Sequence, residues 1–347
     1  MGWIFHAIFM NEGRTALSAQ GIHWEQLDRW EQWRAAWRVG PQELWRELRQ
    51  VQPAAFALSL VFMGGTLLLG IQRWRMALRV HGLNLSFGRA AEISLVAHFF
   101  NSFMLGSTGG DLIKAYYAAR ETHHKKPEAV VTVVVDRLIG LWSMLLFAAI
   151  MMAFHGTLIL THEALGVTAA VILGMLSACS MVAILAFWGG LSRRWPGARE
   201  LLRRLPRGEW LEKFLESCRE FGRAPGFLVK ALGLSMLLNV VCVAQYWALG
   251  RGLDLQVAPS LYFLLVPMII CIAALPITPS GLGVRENLFV LLLGGPAIGA
   301  SATTALSLSL LAYAGFLLWS LAGGVVYITF REKHHLQEVT ANSEPQM

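Results

Sequence analysis

Charge is scarce in this sequence. Only 15% of its 347 residues are Asp, Glu, Lys or Arg, where soluble domains carry about 25%. That leaves too little polar surface for two soluble domains of this combined length, and no stretch reads as a soluble catalytic domain. Cysteine is sparse too. Cys179, Cys218, Cys242 and Cys271 form no CxxC pair, and three of them lie in apolar runs. This predicts free thiols, with no disulfide framework and no metal site. The sequence has no Walker motif, nucleophile elbow, HExxH or dinucleotide fingerprint, so no cofactor is expected. Residues 1–10 lack a basic leading region and a small-residue cleavage pattern, which excludes a signal peptide.

Apolar runs fill the space that charge leaves. The chain is 55% hydrophobic, with a mean hydropathy of +0.51. Several runs reach about 20 residues, the length that crosses a bilayer core. They fall near 54–72, 130–154, 165–189, 226–249 and 303–329. Two further apolar stretches are interrupted. The one at 90–106 carries Glu92, His98 and Asn101 and breaks at Gly106-Ser107-Thr108-Gly109-Gly110-Asp111. The one at 259–300 breaks at Pro276-Ile277-Thr278-Pro279-Ser280-Gly281-Leu282-Gly283. The predicted fold is an all-α polytopic membrane protein with broken, re-entrant helices.

The net charge of +7 is concentrated between the runs. That pattern signals topology and contact with anionic lipid headgroups, with no nucleic acid as partner. Basic loops stay in the cytoplasm, so 73–89, 112–128, 190–225 and the C-terminus are assigned inside and 156–163 outside. Both flanks of 90–111 are then cytoplasmic, and that segment enters and returns. The segment 259–300 begins and ends outside, as a second re-entrant element or as two short spans. Paired breaks opening from opposite sides are the signature of an inverted repeat around a midplane site.

Residues 23–50 differ from the rest. Trp24, Leu27, Trp30, Trp33 and Trp37 recur at helical spacing among Arg29, Arg34, Arg38, Glu25 and Glu31. An amphipathic helix with a tryptophan face suits the headgroup layer of a membrane. The chain therefore divides into an interfacial segment, 1–52, a transmembrane domain, 53–330, and a polar tail, 331–347, read as disordered and cytoplasmic.

Charges at membrane depth mark a pathway or a buried pair. The candidates are Asp111, Asp136, Arg137, Arg285 and Glu286. Asp136 and Arg137 are helix neighbours and point about 100° apart, so each needs a partner elsewhere. One arrangement pairs Asp111 with Arg137 or Arg285 and leaves an arginine for a lipid phosphate. Glycines at 106, 109, 110, 281 and 283 permit close backbone approach, and amides exposed at such breaks favour anions. His123 and His124 beside Lys125 and Lys126 read as a solvated basic loop.

Three motifs together resemble the lysylphosphatidylglycerol synthase transmembrane family of flippase-like proteins. They are Asn101-x7-Gly109-Gly110-Asp111-x-x-Lys114, then Val135-Asp136-Arg137-Leu138-Ile139-Gly140, then Leu275-Pro276-Ile277-Thr278-Pro279-Ser280-Gly281-Leu282-Gly283-Val284-Arg285-Glu286. The similarity covers roughly 50–330. Where the family usually has Glu-Arg, this chain has Asp136-Arg137, and Lys114 stands where Arg is usual. The family's first span corresponds here only to its end, near residues 2–10. In multiple peptide resistance factors, the similar membrane region precedes a soluble aminoacyl-transferase domain, and no counterpart of that domain follows the last span here. The resemblance implies a bacterial inner-membrane lipid flippase or transporter with a phospholipid or lipid-linked substrate. Arg137, Arg285 and Lys114 would contact phosphate, Asp111 and Glu286 would position those cations, and Asn101, Gly109, Gly110, Asp136, Pro276, Pro279, Gly281 and Gly283 would complete the site. Two other readings stay open, a membrane enzyme acting on a lipid-linked substrate and a non-transporting scaffold for a separate lipid-modifying enzyme.

Overall fold

The computed structural model describes residues 2–19, 23–102, 109–121, 125–187, 216–275, 278, 281–294, 298–329 and 337–338. Helices dominate them. Five are long and apolar enough to cross a membrane: α3 (Pro53–Val80), α6 (Lys126–Phe154), α8 (Glu163–Phe187), α9 (Pro225–Gly252) and α12 (Ala302–Thr329). Prolines at the first or second position start α3, α6 and α9, where no backbone N–H is needed. The chain is a multi-pass helical membrane protein.

Between the spans lie two helical hairpins. One joins α4 (Phe87–Asn101) to α5 (Gly109–Glu121), and the other joins α10 (Pro259–Ala273) to α11 (Val284–Leu293). At 15 residues, α4 and α10 reach only about 22 Å at 1.5 Å per residue, which is too short to cross. A short helix, α7 (Gly156–Thr161), links α6 to α8. Before the spans come α1 (Gly2–Ala19) and α2 (Arg29–Gln50). Asp28 and Glu31 form a reciprocal cap at the start of α2. Leu83–Asn84 and Gln337–Glu338 form a two-residue antiparallel pairing, so the described piece of the tail lies at the same end of the molecule as the α3–α4 turn.

The second half repeats the first in element order, length and packing. Helices α3 and α9 both have 28 residues. They run antiparallel, with Gln52 N–H donating to the Gly252 carbonyl at one end. Each is followed by a hairpin whose first arm has 15 residues, and then by a span of 29 or 28. Helix α4 packs on α12 as α10 packs on α6, and α5 packs on α6 as α11 packs on α12. Single side chains follow the same exchange. Arg73 and Gln245 each stand twenty residues after the first residue of α3 and α9, and Met63 and Ser235 each stand ten after it. Arg73 reaches Ser235 at 2.9 Å, and Gln245 reaches Met63 at 4.0 Å. This is the arrangement of an inverted repeat.

Small residues allow the close crossings. A Cβ on Gly64 would lie 2.6 Å from the Trp319 ring, and one on Gly323 would lie 2.1 Å from the Leu95 carbonyl. The largest apolar core joins α6, α8, α9, α10, α11 and α12 through Leu145, Leu249, Leu264, Met268, Phe289 and Leu308. It occupies the end away from the basic loops. At the basic end, Trp74, Leu78, Ile93 and Val133 form a second cluster.

Sequence periodicity ends the first span at residue 72, but α3 continues to Val80. The extra turns place Arg73 inside the helix rather than in a loop. Arg73 is accommodated there because an acid and a hydroxyl on neighbouring spans receive it.

Candidate functional site

The α4–α5 hairpin closes through its backbone. Asn101 Oδ1 accepts the Gly110 N–H at 2.8 Å, next to the break. A Cβ on Gly110 would sit 2.0 Å from the Ala97 carbonyl oxygen, so only glycine fits. At the other end of the hairpin, Arg89 donates to Glu121 at 2.7 Å and to Glu92 at 2.9 Å. This geometry presents Asp111 and Lys114 to α6.

Asp136 and Arg137 leave α6 in different directions and serve different neighbours. Asp136 Oδ1 accepts Arg73 Nε at 2.7 Å, and its Oδ2 lies 3.6 Å from Lys114 Nζ. Arg137 Nε donates to Asp111 Oδ2 at 2.7 Å. Lys114 Nζ also sits 4.3 Å above the Trp74 ring, and the Trp74 indole donates to Thr132. Gly140 makes room, since a Cβ there would meet the Arg73 guanidinium at 2.9 Å. Arg73, Lys114 and Arg137 face two carboxylates, Asp111 and Asp136, so this group of five carries an excess of one positive charge. The Arg73 and Asp136 side chains are each 11% exposed, against 48% for Arg137 and 28% for Asp111. The buried pair braces three spans, and the other pair is the more exposed of the two. Asp136 lies ten residues into α6, about 15 Å along its axis.

The α10–α11 hairpin builds a second cluster in the other half. Gly281 and Gly283 adopt φ of 70° and 88°, which side-chain-bearing residues rarely adopt. Glu286 Oε2 turns back to accept the Gly283 N–H at 2.6 Å and so caps α11. That turn brings Oε1 to 2.7 Å from Arg285 Nη2, although the two residues are adjacent. Ser309 accepts Arg285 Nε at 3.0 Å and donates to Glu286 at 3.2 Å, while the guanidinium lies 5.1 Å from the centre of the Tyr313 ring. The Glu286 side chain is fully buried. Asp111 and Glu286 each stand two residues after the first residue of α5 and α11, and Arg137 and Tyr313 each stand eleven after the first residue of α6 and α12. The two clusters therefore occupy matching places in the repeat. Among the described residues, no ion pair joins them.

Of the sequence-predicted site residues, Asn101, Gly109, Gly110, Asp111, Lys114, Asp136 and Arg137 gather at the first cluster. Gly281, Gly283, Arg285 and Glu286 gather at the second. Pro276 and Pro279, together with His123 and His124, lie outside the described residues. Of the two partners considered for Asp111, Arg137 is the one observed. Sequence reasoning missed Arg73, Ser235, Ser309 and Tyr313. A buried arginine's partners lie far away in sequence, so no local spacing reveals them. Among the described residues, no three His, Cys, Asp or Glu side chains converge as metal ligands.

An apolar cleft of about 450 Å³ opens between α8 and α9 over a floor of α6. Leu138, Trp142, Ala183, Ile184, Val229 and Leu232 line it. The Trp142 indole is satisfied by Ser180 at 2.9 Å. Outside the spans, His81 and Glu47 are among the groups that titrate abnormally. Burial holds the His81 imidazole below its ordinary value, against the pull of Glu220 at 2.8 Å. Burial raises the Glu47 carboxyl, opposed by Arg46 and aided by Glu12 and Glu43.

No curated protein matches the chain. The family described as the lysylphosphatidylglycerol synthase TM region matches residues 30–327. That match contains both hairpins, both charged clusters and the five spans up to the last two residues of α12, and the chain belongs to this family.

Proposed function

We propose that the protein moves a phospholipid or lipid-linked headgroup between the leaflets of a bacterial inner membrane, with the C-terminus in the cytoplasm. The observation that carries this reading is the first cluster, in which Lys114 and Arg137 are held at membrane depth beside a broken hairpin. A charge in that position is expensive unless it has a task. Arg137 and Lys114 would bind the phosphate, and Asp111 would hold Arg137 in place until substrate arrives. The fork of donors on an arginine suits phosphate oxygens. Arg73 and Asp136 would brace the site without touching substrate. Arg285 and Glu286 would form the matching station in the other half. The apolar cleft beside α6 offers lodging for an acyl chain, since its lining is almost entirely apolar. Family membership supports a lipid as substrate in general.

Leaflet exchange of labelled phospholipid in proteoliposomes tests the reading. Arg137→Ala and Asp111→Asn are expected to slow exchange at least tenfold, about 1.4 kcal/mol on the barrier. Arg251→Ala, an exposed site at the other end, should exchange like wild type. Equal rates for all four proteins would refute the reading.

A further inference from the structure

The tryptophan helix α2 is unused by the transport reading, and its exposed face has a definite chemistry. It packs inward through Ala36 and Gly40. A Cβ on Gly40 would strike the Phe9 ring, and Gly13 of α1 closes on the Ala36 backbone. Helix α1 in turn joins Ile8 and Phe9 to Leu306 near the start of α12. Thus α2 is fixed at the end of the molecule away from the basic loops. Only two residues separate its last residue, Gln50, from the span α3, which keeps it at the depth where a span enters the membrane surface.

A stripe flanking the contact with α1 is apolar yet open, with Trp37 at its edge against Phe9 and donating its N–H to His6. Trp30, Trp33, Trp37 and Trp45 are 58%, 41%, 40% and 56% exposed. Trp30 stacks on Trp33 with centroids 5.0 Å apart, and Trp33 lies 6.0 Å from Trp37. Arg34 sits 5.8 Å over Trp30 and Arg49 4.8 Å over Trp45. Arg38 is exposed beside them, and the acid that shares this face, Glu31, sits in the first turn, where it caps the helix. Large exposed apolar side chains in one patch mark an interaction surface. Indoles with an apolar body and a polar N–H favour the headgroup layer, and arginines in excess over acids favour anionic lipid.

We infer that α2 is a lipid-surface anchor that seats the outer end of the protein on anionic headgroups of the non-cytoplasmic leaflet. The occupant is the bilayer surface, because the stripe combines membrane-interface aromatics with three arginines against one acid and is tethered to a span. The inference stands whether or not the protein transports lipid.

The test uses the full chain in vesicles of phosphatidylcholine with phosphatidylglycerol. A nitroxide at Trp33→Cys, with the four native cysteines replaced by alanine, should be reached by oxygen and shielded from a water-soluble nickel chelate. A label at Gln42→Cys, half a helical turn away, should show the reverse. In the chain with its native cysteines, Arg34→Gln, Arg38→Gln and Arg49→Gln together should lower retention of phosphatidylglycerol on purification, roughly fivefold per arginine. Arg46→Gln, on the far side of the helix, should not. Equal nickel access at positions 33 and 42 would overturn the inference and leave the stripe to a protein partner. Unchanged phosphatidylglycerol retention in the triple variant would overturn its anionic specificity.

Discussion

One buried ion pair joins three spans. Arg73 and Asp136 bury opposite charges between α3, α6 and α9, and removing one leaves the other unpaired in a region with little water. Breaking such a pair destabilises by about 3–5 kcal/mol. Asp136→Ala is therefore expected to lower the thermal midpoint in detergent markedly, whereas Asp111→Asn, whose partner Arg137 is half-exposed, should barely move it. Similar midpoints for the two variants would contradict the division into a buried brace and an open pair. His81 adds a pH dependence. Its folded value lies below the ordinary imidazole value of 6.5, so the stability carried by neutral His81 is present above that pH. It is lost as pH falls toward the lowered folded value, because the unfolded chain takes up the proton first. Thermal midpoints measured between pH 7.5 and 5.5 should fall for wild type, and fall less for His81→Gln.

At the scale of elements, the hairpins depend on glycine where backbones meet. Gly110→Ala would drive a methyl into the Ala97 carbonyl. It should destabilise by about 1–3 kcal/mol or more and open the α4–α5 hairpin, read as faster hydrogen exchange at 94–101 and 110–118. Unchanged exchange there would show that the hairpin closes by other means. The elements themselves were largely legible in the sequence. Apolar runs located the spans, and the breaks at Gly109-Gly110 and Gly281-Leu282-Gly283 located both hairpins, because a polar interruption in an apolar run has few places to go in a membrane. The end of α3 was not legible. Arg73, Arg75 and Arg79 look like a loop until Asp136 and Ser235, distant in sequence, are seen to receive the first of them. The pairing of Arg285 with its neighbour Glu286 was hidden for a different reason. It depends on the Glu286 side chain turning back to cap Gly283, which ideal helix geometry does not foretell.

Across the whole molecule, the two halves exchange places without sharing a sequence. Arg73 matches Gln245, Asp111 matches Glu286, and Arg137 matches Tyr313 by position alone. Under the proposed transport, inverted packing would make the two ends of the protein alternatives to each other; in the structure Asp111 and Arg137 are more exposed than Arg285 and Glu286. A headgroup path running through both clusters requires both to matter. The most direct measurement is phospholipid leaflet exchange in one batch of proteoliposomes holding wild type, Arg137→Ala or Arg285→Ala. The account predicts exchange by wild type and a loss of at least tenfold in each variant, although the two arginines lie in opposite halves. Absence of exchange by wild type for zwitterionic, anionic and aminoacylated lipids, or full exchange by either variant, would contradict it.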